Sequence, residues 1–207
     1  MNAIDQFFAS LTKVFVHQSR EWAEIITRLE TRNKYKVLDE HGTSIGFIAE
    51  QRTGLIGAII RMVMRSHRPM HIKVWNEQRE ELLDIKRPFH FFFSDMTIES
   101  QGKIIGHVYQ RFAFIFRRYD LADKNGNVFS RIRAPFWRIW TFPVIDARGT
   151  ERALISKKWG GVLKEIFTDE DKFLVEFKNL DNTQKAIVFA SAITVDLDFF
   201  EENHSNR

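Results

Sequence analysis

Five short polar segments, each set between two runs that alternate apolar and polar residues, constrain this chain more than any other feature. They are Asp39 to Gly42, Asn76 to Arg79, Glu99 to Gly102, Asp123 to Gly126 and Asp146 to Gly149. The flanking runs, such as HIKVW and ELLDI around the second segment, read as half-buried strands. In four of the five a glycine closes the segment, where a left-handed backbone conformation costs little. The pattern predicts a β-hairpin unit repeating about every 25 residues. A succession of hairpins needs a closed barrel or a sandwich, because an open array would leave hydrogen-bonding edges bare. The polar linkers are too short to mark a domain boundary, and 207 residues suit one domain.

Two other stretches follow a different period. Ile4, Phe7, Phe8, Leu11, Val14 and Phe15 recur at helical spacing, and Trp22, Ile25, Ile26 and Leu29 continue the stripe, so residues 1–33 are expected to form one or two amphipathic helices. The hairpins are then expected over 34–181 and a last helix over 182–200. Within that helix AIVFASAITV, Ala186 to Val195, is apolar nearly all round and must be buried on every side. A helix of that length reaches roughly 15 Å, half of a bilayer's hydrocarbon core, and Asp196 and Asp198 prevent an apolar extension. A core helix is the better reading than a membrane span.

The net charge is +4, but residues 162–207 hold five basic and ten acidic side chains, which leaves +9 on residues 1–161. The basic surface therefore lies upstream, and such a surface attracts phosphate-rich partners, either anionic lipid or nucleic acid. The chain has no cysteine, which removes disulfides, thiolate chemistry and cysteine acylation, and fits a cytoplasmic setting. The N-terminal residues show neither a basic opening region nor a small-residue cleavage site, so no export signal is read.

The segment ISKKWGGVLKEIFTDEDKFLVEF, Ile155 to Phe177, carries Lys157, Trp159, Gly161, Leu163, Glu165, Phe167, Thr168, Asp169, Asp171 and Phe173 in an order and spacing that resembles the C-terminal signature of the phospholipid scramblase family. The resemblance extends upstream through HGTSIGFIAEQ, HRPMHIKVW, KRPFHF, IIGHVYQRF and RAPFWRIWTFPV, nearly the whole chain. Two features of that family are missing, its Pro-rich N-terminal arm and its cysteine clusters. Through the family's likeness to tubby-like and LURP-one-related proteins, the resemblance implies a mainly β fold with α: a closed barrel of about twelve strands around the buried C-terminal helix. It also implies phospholipid movement between leaflets or, more conservatively, peripheral binding to anionic phospholipid. No span for a hydrophilic path is legible in the sequence, which favours binding.

Arginine beside an interfacial tryptophan suits phospholipid headgroups, since the guanidinium pairs with phosphate while the ring sits at the water boundary. The candidates are Lys157, Lys158, Trp159, Arg117, Arg118, Arg133, Arg138 and Trp137. The same mixture could stack single-stranded nucleic acid, which gives the alternative of a nucleic-acid or protein-interaction module. The segment from Asp169 corresponds to the family's proposed calcium-binding segment. As a twelve-position calcium loop it has Leu174 in place of the turn glycine and Leu180 in place of the bidentate acid. The residues read as a turn entering a strand, with weak calcium binding by Asp169, Asp171 and Asp181 as the alternative. No catalytic motif is present, no cofactor beyond weak calcium is expected, and the chain reads as non-enzymatic.

Overall fold

The computed structural model describes residues 2–18, 31–51, 69–89, 93–111, 116–135, 140–157 and 172–204. A short helix α1 (Ala3–Phe8) is followed by twelve strands and a long helix α2 (Asn182–His204). The strands are β1 (Lys13–Gln18), β2 (Thr31–Leu38), β3 (Ser44–Gln51), β4 (Met70–Asn76), β5 (Glu81–Arg87) and β6 (Asp95–Ser100). They continue as β7 (Lys103–Arg111), β8 (Phe116–Asp123), β9 (Val128–Pro135), β10 (Thr141–Asp146), β11 (Glu151–Ser156) and β12 (Lys172–Phe177). Each pairs with its chain neighbours, and β1 pairs with β12 to close an antiparallel barrel.

All five expected turns form, and four of them share one device. Asp39 Oδ1 accepts from His41 and Thr43 N–H at 2.9 and 2.8 Å, Asp123 Oδ1 from Asn125 and Asn127 at 2.8 and 2.9 Å, and Asp146 Oδ1 from Arg148 and Thr150 at 2.9 Å each. Asn76 does the same for Glu80. The fourth residue then takes a left-handed conformation, at φ 80° for Gly42, 84° for Gly126 and 82° for Gly149; Arg79 adopts it without being glycine, at φ 65°. Beside each turn the register shifts, between Val37 and Leu38, Val74 and Trp75, Ile98 and Glu99, Leu121 and Ala122, and Val144 and Ile145. These bulges add twist and coiling, which a sheet needs in order to close.

The helix α2 fills the barrel. Every residue from Ala186 to Val195 is at most 2% exposed, and Ile187, Phe189 and Ile193 share one core with Val74, Ile85, Ile98, Leu121 and Val144 from the wall. The two hydroxyls in this stretch are satisfied locally: Ser191 Oγ donates to the Val188 carbonyl at 2.7 Å and Thr194 Oγ1 to the Ala190 carbonyl at 3.0 Å. The wall makes room at Gly106 of β7, where an added Cβ would lie 2.4 Å from Ile187 Cδ1 and 2.6 Å from the Ala122 carbonyl oxygen.

The N-terminal expectation needs correction. Within residues 2–18 only Ala3–Phe8 is helical, capped by the Asn2 side chain accepting from Asp5 N–H at 2.8 Å, and Lys13–Gln18 is strand β1. Val14 and Val16 point into the core, whereas Phe15 packs outside against Leu38 and Leu174. A period of two was hidden inside the stripe, and the branched valines of KVFV favour the strand. Trp22, Ile25, Ile26 and Leu29 lie outside the described residues, and β2 begins at Thr31, ahead of the expected first hairpin.

The helix α1 stoppers the rim that carries the tight turns. Phe8 meets Phe189 of α2 and Phe177 of β12 edge-on, at 5.9 and 6.3 Å between centroids. The Lys185 ammonium of α2 donates to the Phe8 and Leu11 carbonyls at 2.9 Å each and reaches the Ala9 carbonyl at 3.5 Å. Burial lowers the Lys185 pKa, and the carbonyls left over at the end of α1 compensate the buried charge.

Two outcomes are expected. First, the donors around Asp123, led by the Asn127 side chain, and those around Asp146, led by the Thr150 N–H, hold both carboxyls below the ordinary 3.8. The native state then resists protonation, so their stabilisation is full above that value and is lost as pH falls through the lowered ones. Urea unfolding measured from about pH 5 to about pH 2 should show a shallower loss of stability in Asp123→Asn/Asp146→Asn than in wild type. Second, Gly106→Ala should lower stability by about 1–3 kcal/mol by forcing α2 and β8 away from β7. An unchanged urea midpoint would mean that α2 does not press on this wall.

Candidate functional site

The strand order gives the barrel two unlike rims. One carries the tight turns and α1. At the other, the strand ends from Gln18 and Thr31 round to Ser156 and Lys172 lead into the remaining connections. The sequence-predicted basic residues that the structure describes belong near this connection rim. Lys157 follows β11, its N–H donating to the Trp140 carbonyl at 2.8 Å, and Trp140 is 39% exposed. Arg117 is the second residue of β8, opposite Ala134, and Arg118 faces Arg133 of β9 in register. The side chain of Arg117 lies outside the description, as do Trp137, Arg138, Lys158, Trp159, Asp169 and Asp171. The exposed Phe89 and Phe93 stand beside β5 and β6 at the same rim.

Register gathers more than the sequence singled out. Arg111 of β7 pairs with Arg118, which pairs with Arg133, so three arginines form one row across the outer wall. The adjacent row is Tyr109, Asp120 and Arg131. The alternate residues Val108, Tyr119, Leu121 and Ile132 are in the core, which places these two rows outside. The Asp120 carboxylate is only 8% exposed and sits beneath three guanidinium groups. Arg118 approaches through Nε and Nη2 at 3.1 and 3.2 Å, Arg131 through Nε at 3.2 Å and Arg111 through Nε at 3.4 Å. Arg111 also lies over the Tyr109 ring at 4.6 Å, and that ring stacks on His107 at 5.5 Å. Nearby Asp95 has its carboxyl pKa raised by burial, against the opposing pull of Arg111.

The neighbouring wall is built differently. On β4 to β6, His71 meets Asp84 at 2.5 Å, Lys73 meets Glu81 at 2.6 Å, and Lys86 bridges Glu99 and Asp84 at 2.8 and 3.3 Å. Cations and anions alternate there, whereas on β7 to β9 cations exceed anions. Arg131 and Asp120 were absent from the sequence-derived set, although each sits a few residues from the fourth turn.

Asp181, the described member of the calcium set, is engaged otherwise. Its Oδ1 accepts from the Gln184 N–H at 2.8 Å while Gln184 Oε1 accepts from the Asp181 N–H at 3.3 Å, a reciprocal cap at the start of α2. Among the described residues no three His, Asp or Glu side chains gather to hold a metal. No helix among them is long and apolar enough to cross a membrane.

Comparison with known proteins agrees with the fold and its family resemblance. The closed barrel around a C-terminal helix is similar to an X-ray structure of a protein from Arabidopsis thaliana, with a TM-score of 0.52 at 11% identity, covering 100% of this chain and 99% of that one. In sequence the chain is 28% identical over 236 residues to altered inheritance rate of mitochondria protein 25 of Saccharomyces cerevisiae, covering 94% of this chain and 72% of that protein. It is 24% identical over 217 residues to phospholipid scramblase 1 of Homo sapiens, covering 98% and 67%. To a phospholipid scramblase family protein of Schizosaccharomyces pombe it is 22% identical over 228 residues, covering 92% and 60%. The family model described as Scramblase matches residues 2–202, and the chain belongs to that family.

Proposed function

We propose that the protein binds anionic phospholipid surfaces peripherally, from the cytoplasmic side, through its connection rim and the adjoining β7 to β9 wall. The observation that carries this reading is the shared location of Lys157, Trp140, Arg118 and Arg133 with exposed Phe89 and Phe93 at one rim, the opposite rim being stoppered by α1. The proposed surface also includes Lys158, Trp159, Arg117, Trp137 and Arg138, which the sequence singles out beside these residues. Relatives named phospholipid scramblases supply the lipid class.

Transbilayer movement is the finer part of the proposal. The barrel lumen offers no path for a headgroup, because the side chains of α2 from Ala186 to Val195 occupy it. The outer wall carries charged ladders over β4 to β9, a poor surface to set in hydrocarbon. Lipid movement would therefore act on headgroups at the water boundary, with the barrel lying on the bilayer.

Each basic residue near an anionic surface contributes on the order of 1 kcal/mol, so three together are worth roughly a hundredfold in partitioning. Lys157→Gln/Lys158→Gln/Arg133→Gln should lose flotation with phosphatidylserine vesicles by about that factor while keeping its melting temperature, and wild-type flotation should weaken with salt. Wild type that ignores these vesicles at low salt overturns the proposal. A gel shift with single-stranded nucleic acid and no flotation would assign the basic surface to nucleic acid instead.

A further inference from the structure

We propose that Asp95 of β6, with Arg111 of β7 and Arg118 of β8, holds a phosphodiester headgroup that ends in a primary ammonium, the arginines taking the phosphate and Asp95 the ammonium. The inference rests on the anionic-surface reading for what brings the headgroup to this wall, and adds a headgroup class that a plain patch of cations would not select.

Charge is unevenly divided here. Arg111, Arg118 and Arg131 all gather on the Asp120 carboxylate, within 3.4 Å, whereas Asp95 has Arg111 at 3.8 Å, outside hydrogen-bonding reach. In the ladder of β4 to β6, by contrast, Asp84, Glu81 and Glu99 each have a cation at 2.5 to 2.8 Å. Asp95 thus makes the longest ion pair described on β4 to β9, and its side chain is 50% exposed. Its carboxyl pKa is raised by partial burial, and the pull of Arg111, the Gln110 N–H and His107 does not cancel that rise. The charged form lacks compensation, which an incoming ammonium supplies.

Spacing is the second argument. Register sets Asp95 opposite Tyr109 and Arg111 opposite Arg118, so the carboxylate and the two guanidinium groups come from three successive strands. Neighbouring strands lie about 4.8 Å apart, and the two carbons of an ethanolamine arm set its ammonium a similar distance from the phosphate. A phosphate over Arg111 and Arg118 therefore brings the ammonium above β6. A primary ammonium offers a carboxylate three donors, whereas the quaternary ammonium of choline offers none. Phe93, two residues before Asp95, is 44% exposed, so Asp95 stands beside the apolar edge of the proposed membrane surface.

The test floats the full chain with vesicles of fixed phosphatidylglycerol content, the remainder being either phosphatidylcholine or phosphatidylethanolamine. Phosphatidylglycerol has no ammonium, so flotation with the choline mixture reports the anionic-surface reading, and the change on exchanging choline for ethanolamine lipid reports the site. Wild type should gain up to about fivefold in partitioning on that exchange, the range of a half-exposed ion pair. Asp95→Asn should lose the gain while keeping phosphatidylglycerol flotation, because Asp95 is not one of the basic or aromatic residues of that surface. Glu81→Gln removes the same charge from the β4 to β6 ladder and should keep the gain. A soluble arm titrates glycerophosphoethanolamine and glycerophosphocholine, followed by NMR, and shifts at the Asp95 and Arg111 amides with the ethanolamine form alone support the site. A gain that needs Asp95, without shifts in the soluble arm, places the recognition on membrane lipid. Shifts without any flotation keep the site and overturn the membrane reading. A gain that Asp95→Asn retains, or no gain and no shifts in folded wild type, overturns the site even where phosphatidylglycerol flotation succeeds.

Discussion

The enclosure of α2 by the barrel is the contact on which the rest of the structure depends. An apolar helix needs a sleeve, and a twelve-stranded barrel without a filling would collapse or hold water. Each supplies the other's missing surface: the strands bury one face each, and the helix buries its whole circumference. Gly106 shows how close the fit is, since a single methyl group there would meet both Ile187 and the β8 backbone. The buried hydroxyls of Ser191 and Thr194 are accommodated by the helix's own carbonyls, with Met96 Sδ of the wall also beside Thr194 Oγ1.

That packing also assigns the two ends of the molecule. The Lys185 ammonium ties α2 to the carbonyls of α1, so the helix is fastened at the turn rim where it begins. The twelve strands deliver their other ends, with their basic and aromatic neighbours, to the opposite rim. Because the lumen is occupied, any ligand surface must lie on the rim or the outer wall. On that wall the contrast between the balanced ladder of β4 to β6 and the arginine-rich rows of β7 to β9 becomes the informative feature.

Much of this was legible in the sequence, because turn chemistry is local. Asp or Asn opening a turn and a residue with positive φ closing it are visible in four letters, and an all-round apolar decapeptide cannot be placed anywhere but inside. The N-terminal stripe misled because Leu11, Val14 and Phe15 satisfy a helical spacing while KVFV also alternates. The arginine cluster was hidden by a bulge. Counting back from Asp123 and Asn127 without the register shift at Leu121 and Ala122 sets Arg131 opposite Tyr119, on the core side; the shift moves it opposite Asp120, outside. A one-residue slip exchanges the faces of a strand, and nothing in the sequence announces the slip. The helix cap at Asp181 is local in the same way as the turns, since its position just before Asn182 suits it.

The central claim, that α2 is the sheltered core of a protein acting from outside the bilayer, is tested most directly by amide hydrogen exchange of residues 186–195 in the free protein and on anionic vesicles. The account predicts that these amides exchange only through global unfolding, as slowly as any in the barrel, and that vesicle binding leaves them so. Exchange faster than that of the strands, or a change in α2 with the barrel amides opening as vesicles bind, would mean that the helix leaves its sleeve for the membrane and would contradict it.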